Sequence, residues 1–327
     1  MKIFSKEKLP NGRRHIYFCG IKIASYKKKQ RSKYERIYAK RFKGLTEAEI
    51  RYCLEYQSTK HTGYCPNLDN PKTFNEKLQW LKLYYRNPLM TICADKVAVR
   101  DYVAEKVGAE YLIPILGVYD SPDDIDFDKL PDKFVLKVNW GSGQNIIVKD
   151  KSKLDIEATR KQLAIWMKPE SNHYFAFFEW CYKNIKPKII VEKYIEQMDG
   201  NLLDYKIFCN NGKPMFLFVA IDRGKDLRFN FYDLDFNKLP FKQHYENSDK
   251  IIKKPEQFDE MLDIARKLSA DFIHCRVDFY VLDNRLYFGE LTFYHFAGLE
   301  KFEPAEWDRK LGDLLVLPKE KSNENIL

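Results

Sequence analysis

The spacing of apolar and polar residues divides the chain into a helical region followed by a strand-rich region. Residues 12–26 alternate with a period of two and predict a short hairpin that turns near Gly20. From residue 45 onward the apolar residues recur at helical spacing, and a Thr-x-x-Glu capping box at Thr73 and Glu76 marks one helix start. The predicted helices cover residues 45–57, 73–85, 94–107, 154–166 and 255–271.

Short apolar runs rich in β-branched and aromatic residues predict strands beyond residue 110. These predicted strands cover residues 111–119, 133–139, 145–149, 188–196, 204–209, 213–221, 228–233, 273–282 and 285–293. Helices interrupt the strands only twice, so the pattern predicts an α+β fold. The polar residues 318–327 predict a frayed tail.

The composition is that of a globular protein with a sizeable core. The chain has 327 residues, of which 45% are hydrophobic and 31% charged, and this length predicts roughly two packed units. No run approaches the ~18 apolar residues of a spanning helix, and the charged N-terminus lacks an apolar signal segment. The seven cysteines are scattered and odd in number, which is typical of reduced thiols. We therefore expect a cytoplasmic protein.

Positive charge is concentrated near the N-terminus. The net charge is +9, and residues 1–43 hold 15 Lys and Arg against two Glu. A basic segment over residues 22–43 suits the inner face of an anionic membrane, where each basic residue contributes about 1 kcal/mol. A solvated basic arm without a dedicated partner is the alternative. Nucleic acid is not expected as a partner, because aromatic residues are not interleaved with basic residues over a whole domain.

The segment 274–298 carries the most informative polar pattern. Asp278 and Glu290 are an even number of residues apart, so a hairpin centred on Asn284 with a three-residue loop places them opposite each other, with Arg276 opposite Thr292. The opposite, apolar face then holds Val277, Phe279, Val281, Tyr287 and Leu291. Two opposed carboxylates suit Mg²⁺, and their neutralisation by Arg276 and water is the alternative.

Two further segments could contact phosphate. Lys137 lies on a predicted strand before the loop Gly141, Ser142 and Gly143, whose backbone amides can approach phosphate oxygens closely. Lys96 follows Asp95 at a predicted helix start. An ordinary glycine turn and an exposed first-turn lysine are the structural alternatives.

A third group of candidates follows the strand near residue 190. An apolar run ends in Glu192, Lys193, Tyr194 and Ile195, where backbone groups could bind an adenine edge, and Asp204 follows as a possible ribose ligand. The structural alternative is a buried strand that leaves the core. Arg223 and Arg228 could form forked contacts with a substrate carboxylate, or they are exposed hairpin arginines.

The order of these motifs resembles the ATP-grasp superfamily. The segments TFNEKLQWLK, ADKVAVRDYV, FVLKVNWGSG, IIVEKYI, DYKIFC and RVDFYVLDNRLYFGELTFY are similar to the branch named for teichuronopeptide biosynthesis, found in bacterial capsule and surface-polysaccharide pathways. The resemblance covers roughly residues 70–318. It implies that ATP is clasped between two α+β subdomains.

The resemblance also implies roles for the candidate residues. Lys96 and Lys137 would contact the ATP phosphates under the loop formed by Gly141, Ser142 and Gly143. The adenine would lie against Glu192, Lys193, Tyr194 and Ile195, with Asp204 on the ribose. Asp278 and Glu290 would ligate Mg²⁺ with Thr292, which stands where the superfamily usually has asparagine, and Arg276 would stabilise charge at the reacting carboxylate.

The implied domains are a basic arm (1–44), a helical region (45–130), a lid subdomain with the glycine loop (131–195), a C-terminal subdomain with the metal hairpin (196–318) and a tail (319–327). The implied reaction joins an amino acid to a uronic acid of a glycan or its lipid-linked precursor through an acyl phosphate. Phosphoryl transfer needs little acid–base catalysis, which agrees with six histidines in no evident catalytic pattern. The alternatives are a sugar phosphotransferase and a non-catalytic scaffold in glycan assembly.

Overall fold

The computed structural model of the protein describes residues 4–8, 13–19, 21–27, 31–195, 203–222 and 226–319. The chain forms two compact units, Met1–Glu49 and Ile50–Leu327. Within the described ranges, no helix combines the length and the apolar composition that crossing a bilayer requires. All seven cysteines are free thiols.

The first unit contains a three-stranded antiparallel sheet of β1 (Phe4–Lys8), β2 (Arg13–Phe18) and β3 (Ile21–Lys27). The β2–β3 pair is the predicted hairpin, and β1 is a strand that the pattern did not predict. The basic segment that follows contains helix α1 (Lys33–Tyr38), which starts at a capping box between Ser32 and Glu35. This segment is therefore partly helical.

Four helices follow: α2 (Glu47–Thr62), α3 (Phe74–Tyr84), α4 (Pro88–Ala94) and α5 (Val99–Lys106). The predicted capping box at Thr73 and Glu76 is confirmed. The single predicted helix over residues 94–107 is wrong in its first turn. There the Asp95 side chain accepts the backbone N–H of Val97 at 2.8 Å and holds a turn before α5.

The next segment builds a four-stranded antiparallel sheet in the order β4-β7-β5-β6. Its strands are β4 (Ile115–Tyr119), β5 (Phe134–Val138), β6 (Asn145–Val148) and β7 (Ile189–Lys193). Helices α6 (Ile156–Trp166) and α7 (His173–Phe177) lie between β6 and β7 in the chain. The glycine loop joins β5 to β6.

A five-stranded antiparallel sheet in the order β10-β9-β8-β12-β13 forms the rest of the core. Its strands are β8 (Asp204–Asn210), β9 (Lys213–Ile221), β10 (Arg228–Tyr232), β12 (His274–Leu282) and β13 (Arg285–Thr292). Helix α8 (Phe258–Ser269) covers one face with an apolar stripe that includes Met261, Ala265 and Leu268. The other face is aromatic at one end, where Phe74 of α3 packs on Phe208.

Two short strands, β11 (Lys242–Gln243) and β14 (Phe302–Glu303), pair with each other. Helix α9 (Glu306–Leu314) then packs on α3, and Asp308 accepts the backbone N–H of Asn75 at 2.9 Å. The pattern predicted neither α4 nor α9. The charged residues Lys206, Arg276, Asp278 and Glu290 lie on β8, β12 and β13 of the five-stranded sheet.

Candidate functional site

The β12–β13 hairpin brings the predicted metal residues together. Asp278 pairs directly with Glu290, and Arg276 pairs with Thr292, as the sequence predicted. The predicted three-residue loop is wrong, because Leu282 pairs with Arg285 and the loop has only two residues, Asp283 and Asn284. Both loop residues have positive φ, as a type I′ turn requires.

A β-bulge restores the predicted register. The pairing shifts between Asp278 and Phe279, so that Gly289 is the additional residue of β13. A Cβ at Gly289 would lie 3.2 Å from the backbone oxygen of Asp278, which is a tight contact that the neighbouring backbone would have to relieve by a small shift. Beyond the bulge Tyr287 pairs with Tyr280, so its predicted place on the apolar face is wrong.

A buried ion cluster occupies the polar face of this hairpin and the adjacent strand β8. Arg276 donates from Nε and Nη2 to the two carboxylate oxygens of Asp278, each at 2.7 Å. The same Nη2 lies 3.3 Å from Glu290 Oε1, so the guanidinium bridges the two opposed carboxylates. Lys206 donates to Asp278 Oδ2 and lies 3.0 Å from Asp204. Arg276 therefore lies between the two carboxylates, and Mg²⁺ binding by Asp278 and Glu290 stays a prediction.

Burial and neighbouring charges set the protonation of the cluster. Burial acts to raise the pKa of Glu290, yet Lys96, Lys206 and Arg276 lower it to about 2. Burial raises the pKa of Asp278, and its contacts with Arg276 and Lys206 oppose that shift. Glu290 is therefore ionised at neutral pH, and its side chain is 32% exposed, whereas that of Asp278 is 1% exposed.

His295 is a further residue that contacts the Arg276 guanidinium. Its Nδ1 lies 2.8 Å from Arg276 Nη1, and its Nε2 lies 3.1 Å from Gln243 Oε1. Burial and the charge of Arg276 lower the pKa of His295 well below its ordinary value, so the ring is neutral. A neutral ring accepts from Arg276 at Nδ1 and donates to Gln243 at Nε2. Neither His295 nor Lys206 is among the site residues predicted from the sequence.

The glycine loop and several lysines form the opposite side of the site. Lys96 donates to the Gly141 carbonyl at 2.7 Å and lies 3.7 Å from Glu290 Oε2, so it connects the loop to the hairpin. Lys137 on β5 donates to Glu192 on β7. Gly143 has a φ of +70°, a conformation that L side chains rarely adopt.

A cleft of about 510 Å³ lies between the glycine loop and β12–β13. Its volume falls within the range of about 300–1,000 Å³ that is typical of small-molecule sites. Among the residues that the structure describes, four lysines and one carboxylate line it: Lys96, Lys137, Lys149, Lys206 and Glu290. Gly141, Ser142 and Gly143 complete one wall. We call this space the phosphate cleft, because its excess of cations suits a polyanion.

A second cleft of about 430 Å³ adjoins the phosphate cleft. The two share Gly141, Ser142, Lys206, Leu227 and Glu290. Aromatic side chains dominate the remaining wall, namely Phe177, Tyr182, Phe218, Phe229, Tyr245, Tyr294 and Phe296. Arg276 and Thr292 line this space as well. We call it the aromatic cleft.

The remaining predicted site residues have mixed outcomes. Asp204 is buried beside Lys206 and lines neither cleft, so its contact with the ribose stays a prediction. Arg228 contacts Asp226 through Nε and Nη2 and lines neither cleft, so its predicted substrate contact is not supported. Arg223 lies outside the described residues.

The predicted adenine segment lies on and just after β7. Lys193 is exposed, whereas Tyr194 and Ile195 are buried, and none of the three lines the two clefts. Glu192 lines a small internal cavity of about 20 Å³, which has room for a water molecule and not for a purine. Adenine binding by Glu192, Lys193, Tyr194 and Ile195 therefore stays a prediction.

The donor set fits a magnesium ion that also binds phosphate. In the part of the chain that the structure describes, no three His, Cys, Asp or Glu side chains form a metal site by themselves. Mg²⁺ needs only one or two carboxylates when phosphates and water complete its shell. Glu290 is ionised and open to both clefts, and the Thr292 hydroxyl lies 3.2 Å from Glu290 Oε1. Asp278 is almost fully buried and accepts hydrogen bonds from Arg276 and Lys206, so ligation by Asp278 would compete with these contacts.

Comparisons with solved structures give distant resemblances. The chain is similar to D-alanine–D-alanine ligase from Bacillus anthracis, with 19% identity over 67% of this chain and 64% of that chain and a TM-score of 0.39. The match thus spans slightly less than two thirds of that ligase. For the same enzyme in complex with ATP the identity is 16%, over 76% of this chain and 82% of that chain, and the TM-score is 0.40. For the D-alanine–D-alanine ligase from Helicobacter pylori the identity is 14%, over 75% of this chain and 69% of that chain, and the TM-score is 0.39.

The family assignment rests on the sequence. No functionally curated protein matches the chain. The sequence model of the TupA-like ATP-grasp family matches residues 76–316, which is most of the chain. This match confirms the predicted α+β ATP-grasp fold and the expectation of an ATP-dependent enzyme. The chain belongs to the TupA-like ATP-grasp family.

Proposed function

We propose that the protein is an ATP-dependent carboxylate–amine ligase that joins an amino acid to a uronic acid of a bacterial surface glycan or its precursor. The observation that carries this proposal is the shared wall of the two clefts. Glu290 and Lys206 line both the phosphate cleft and the aromatic cleft. A triphosphate in the first cleft and a carboxylate in the second would therefore meet at these two side chains.

Lysines position the nucleotide in this proposal. Lys96, Lys137, Lys149 and Lys206 supply positive charge around the phosphates, and the amides of the glycine loop cover them. When bound, Mg²⁺ would supply positive charge that neutralises the charge developing on the transferred phosphoryl group. Its protein ligands would be Glu290, Thr292 and, after an exchange of partners, Asp278.

The reacting carboxylate attacks the γ-phosphorus, so that an acyl phosphate and ADP form. An amine then attacks the acyl carbon, and inorganic phosphate leaves as the amide forms. Arg276 lines the aromatic cleft and is held rigidly by Asp278 and His295. A fixed guanidinium at this position stabilises negative charge on the carbonyl oxygen without reorganisation.

The aromatic wall supports a sugar as the carrier of the carboxylate. Aromatic rings pack well against the C–H faces of a pyranose, and several aromatic residues line the cleft next to the phosphate cleft. A uronic acid presents such a face together with a carboxylate. The amine would be the α-amino group of an amino acid.

A substrate screen tests this proposal. The purified protein is incubated with ATP, Mg²⁺, a panel of glucuronic and galacturonic acids and their glycosides, and the standard amino acids. We expect ADP release that requires both an acid and an amine, and a product whose mass equals the sum of the two less one water. Release of ADP without any conjugate, for every pair of the panel, would contradict the proposal.

We further propose that the basic N-terminal unit binds anionic membranes reversibly. Such binding would place the enzyme at the inner face of the cytoplasmic membrane. Residues 22–43 hold ten basic residues and one acidic residue. Removing residues 1–43 should abolish salt-sensitive sedimentation with phosphatidylglycerol vesicles and leave turnover of soluble substrates unchanged. Neutral phosphatidylcholine vesicles are the control. A loss of turnover on soluble substrates would mean that this segment belongs to the catalytic body.

A further inference from the structure

The aromatic cleft contains a histidine–glutamate pair that the mechanism above does not use. His173 begins helix α7, and its Nδ1 lies 3.4 Å from Glu179 Oε2. Both residues line the cleft that also contains Arg276 and Glu290. The Glu179 side chain is only 5% exposed, whereas that of His173 is 23% exposed. The buried carboxylate therefore lies behind a more accessible imidazole.

The surrounding structure fixes both members of the pair. The buried side chain of Asn172 accepts the backbone N–H of Tyr174 at 2.8 Å and donates to the carbonyl of Tyr182 at 2.9 Å. It thereby joins the start of α7 to the turn that follows Glu179. In addition, Gln57 of α2 donates to the carbonyl of Ala176 at 3.0 Å.

The backbone next to Glu179 is strained. Phe178 adopts the left-handed conformation, with φ of 60° and ψ of 32°. This conformation is uncommon for any residue other than glycine and is unfavourable for a bulky one. Such residues persist where the fold determines their position, and they cluster at functional sites. The position of Glu179 beside His173 is thus maintained at a cost in backbone energy.

The pair has the chemistry of a general base. A carboxylate beside Nδ1 favours the tautomer that carries its proton on Nδ1, which leaves Nε2 as a proton acceptor. Histidine is suited to this task near neutral pH because its ordinary pKa lies close to it. The amino group of an amino acid is mostly protonated at neutral pH, and it must lose a proton before it can attack an acyl phosphate.

We propose that His173 is the general base that deprotonates the amine substrate in the aromatic cleft, and that buried Glu179 positions it. This proposal rests on the proposed ligase function and adds a residue to its second half-reaction. Nε2 of His173 takes one proton from the ammonium group. The freed electron pair forms the C–N bond at the acyl carbon, the C–O bond to phosphate breaks, and the departing phosphate takes the second N–H proton.

Several other ionisable residues line the aromatic cleft with this pair, namely His61, Lys206, Arg276, Glu290 and Glu300. The His173 ring contacts the ring of Tyr182 at 5.4 Å between centroids. Glu179 interacts electrostatically with Cys181, Tyr182, Lys82 and Tyr294. Lys82 is the cation among these four, and burial lowers its pKa to about 8. Glu179 is the carboxylate that contacts the His173 ring.

The experiment separates the two half-reactions by the choice of nucleophile. Hydroxylamine is largely unprotonated at neutral pH and traps acyl phosphates as hydroxamates without a base. The full-length protein, His173→Gln and Glu179→Gln are assayed with ATP, Mg²⁺ and the uronic acid panel. Each is given either hydroxylamine or the amino acid panel, and hydroxamate or amide is measured over a range of pH.

We expect His173→Gln to form hydroxamate at the wild-type rate and to form amide about 10²–10⁴-fold more slowly at neutral pH. Its amide formation should rise steadily with pH, because the free amine becomes more abundant. Glu179→Gln should also slow amide formation and leave hydroxamate formation unchanged, because the imidazole loses the carboxylate that orients it and favours the proton on Nδ1.

A matched control is available in another histidine–glutamate pair. His15 Nδ1 lies 3.8 Å from Glu7 Oε2 in the N-terminal sheet, and neither residue lines the aromatic cleft. His15→Gln should therefore leave both products unchanged. If His173→Gln loses hydroxamate and amide equally, or loses neither, the proposed base is wrong. If the wild-type protein forms neither product with any acid of the panel, the ligase function itself is overturned, together with the role of His173.

Discussion

Replacing Glu290 by Gln should lower turnover by a factor of about 10³ or more while the fold stays intact. Glu290 is ionised, lines both clefts and lies 3.7 Å from Lys96, so it is the carboxylate best placed to hold a divalent ion against the phosphates. The substitution keeps the size of the side chain and removes its charge. A misplaced ion no longer neutralises the transferred phosphoryl group, and losses of this size follow from removing such stabilisation.

Steady-state ADP release and the dependence of ATP binding on Mg²⁺ measure this effect. The side chain of Glu290 is 32% exposed, so thermal unfolding should shift little. Glu110→Gln, at an exposed position outside both clefts, serves as the matched control and should retain wild-type turnover. Wild-type turnover in Glu290→Gln, with an unchanged Mg²⁺ requirement, would remove Glu290 from the metal site.

Replacing Asp278 by Asn should destabilise the fold as well as abolish turnover. The Asp278 carboxylate is 1% exposed and accepts hydrogen bonds from both Arg276 and Lys206. Removing one partner of a buried ion pair leaves an uncompensated charge and costs about 3–5 kcal/mol. At roughly 2–4 °C per kcal/mol for a unit of this size, the midpoint of thermal unfolding should fall by about 10 °C.

A second substitution provides the control. In Asp278→Asn the Arg276 guanidinium loses the carboxylate that accepts two of its hydrogen bonds, so adding Arg276→Met removes the buried cation that is left without this partner. The double variant should unfold at a higher temperature than Asp278→Asn alone, although it should remain inactive. If Asp278→Asn unfolds at the wild-type temperature, the carboxylate does not compensate Arg276 and Lys206 in the way that the geometry indicates.

Local sequence signals predicted much of the architecture. The capping box at Thr73 and Glu76 fixed the start of α3, because both partners lie within one turn of the chain. The alternation along β12 and β13 correctly predicted that Asp278 faces Glu290. The alternation did not indicate the two-residue turn or the bulge at Gly289. A loop one residue shorter and a strand one residue longer leave the separation of Asp278 and Glu290 along the chain unchanged.

The predictions that failed depended on contacts between distant segments. Every residue of β8 is buried, so its pattern carries no alternation from which the face of Asp204 or Lys206 could be read. Only the register with β12 places Lys206 opposite Asp278. His173 and Glu179 likewise meet through a left-handed residue at Phe178, which no periodicity indicates.

The transfer of isotope from the carboxylate to phosphate tests the central claim most directly. A uronic acid labelled with ¹⁸O in its carboxylate is turned over with ATP and an amino acid, and the released phosphate is analysed by mass. Attack of the carboxylate on the γ-phosphorus predicts one labelled oxygen in each phosphate released and one retained in the amide. Unlabelled phosphate, or phosphate that stays attached to a sugar hydroxyl, would contradict ligation and indicate a phosphotransferase.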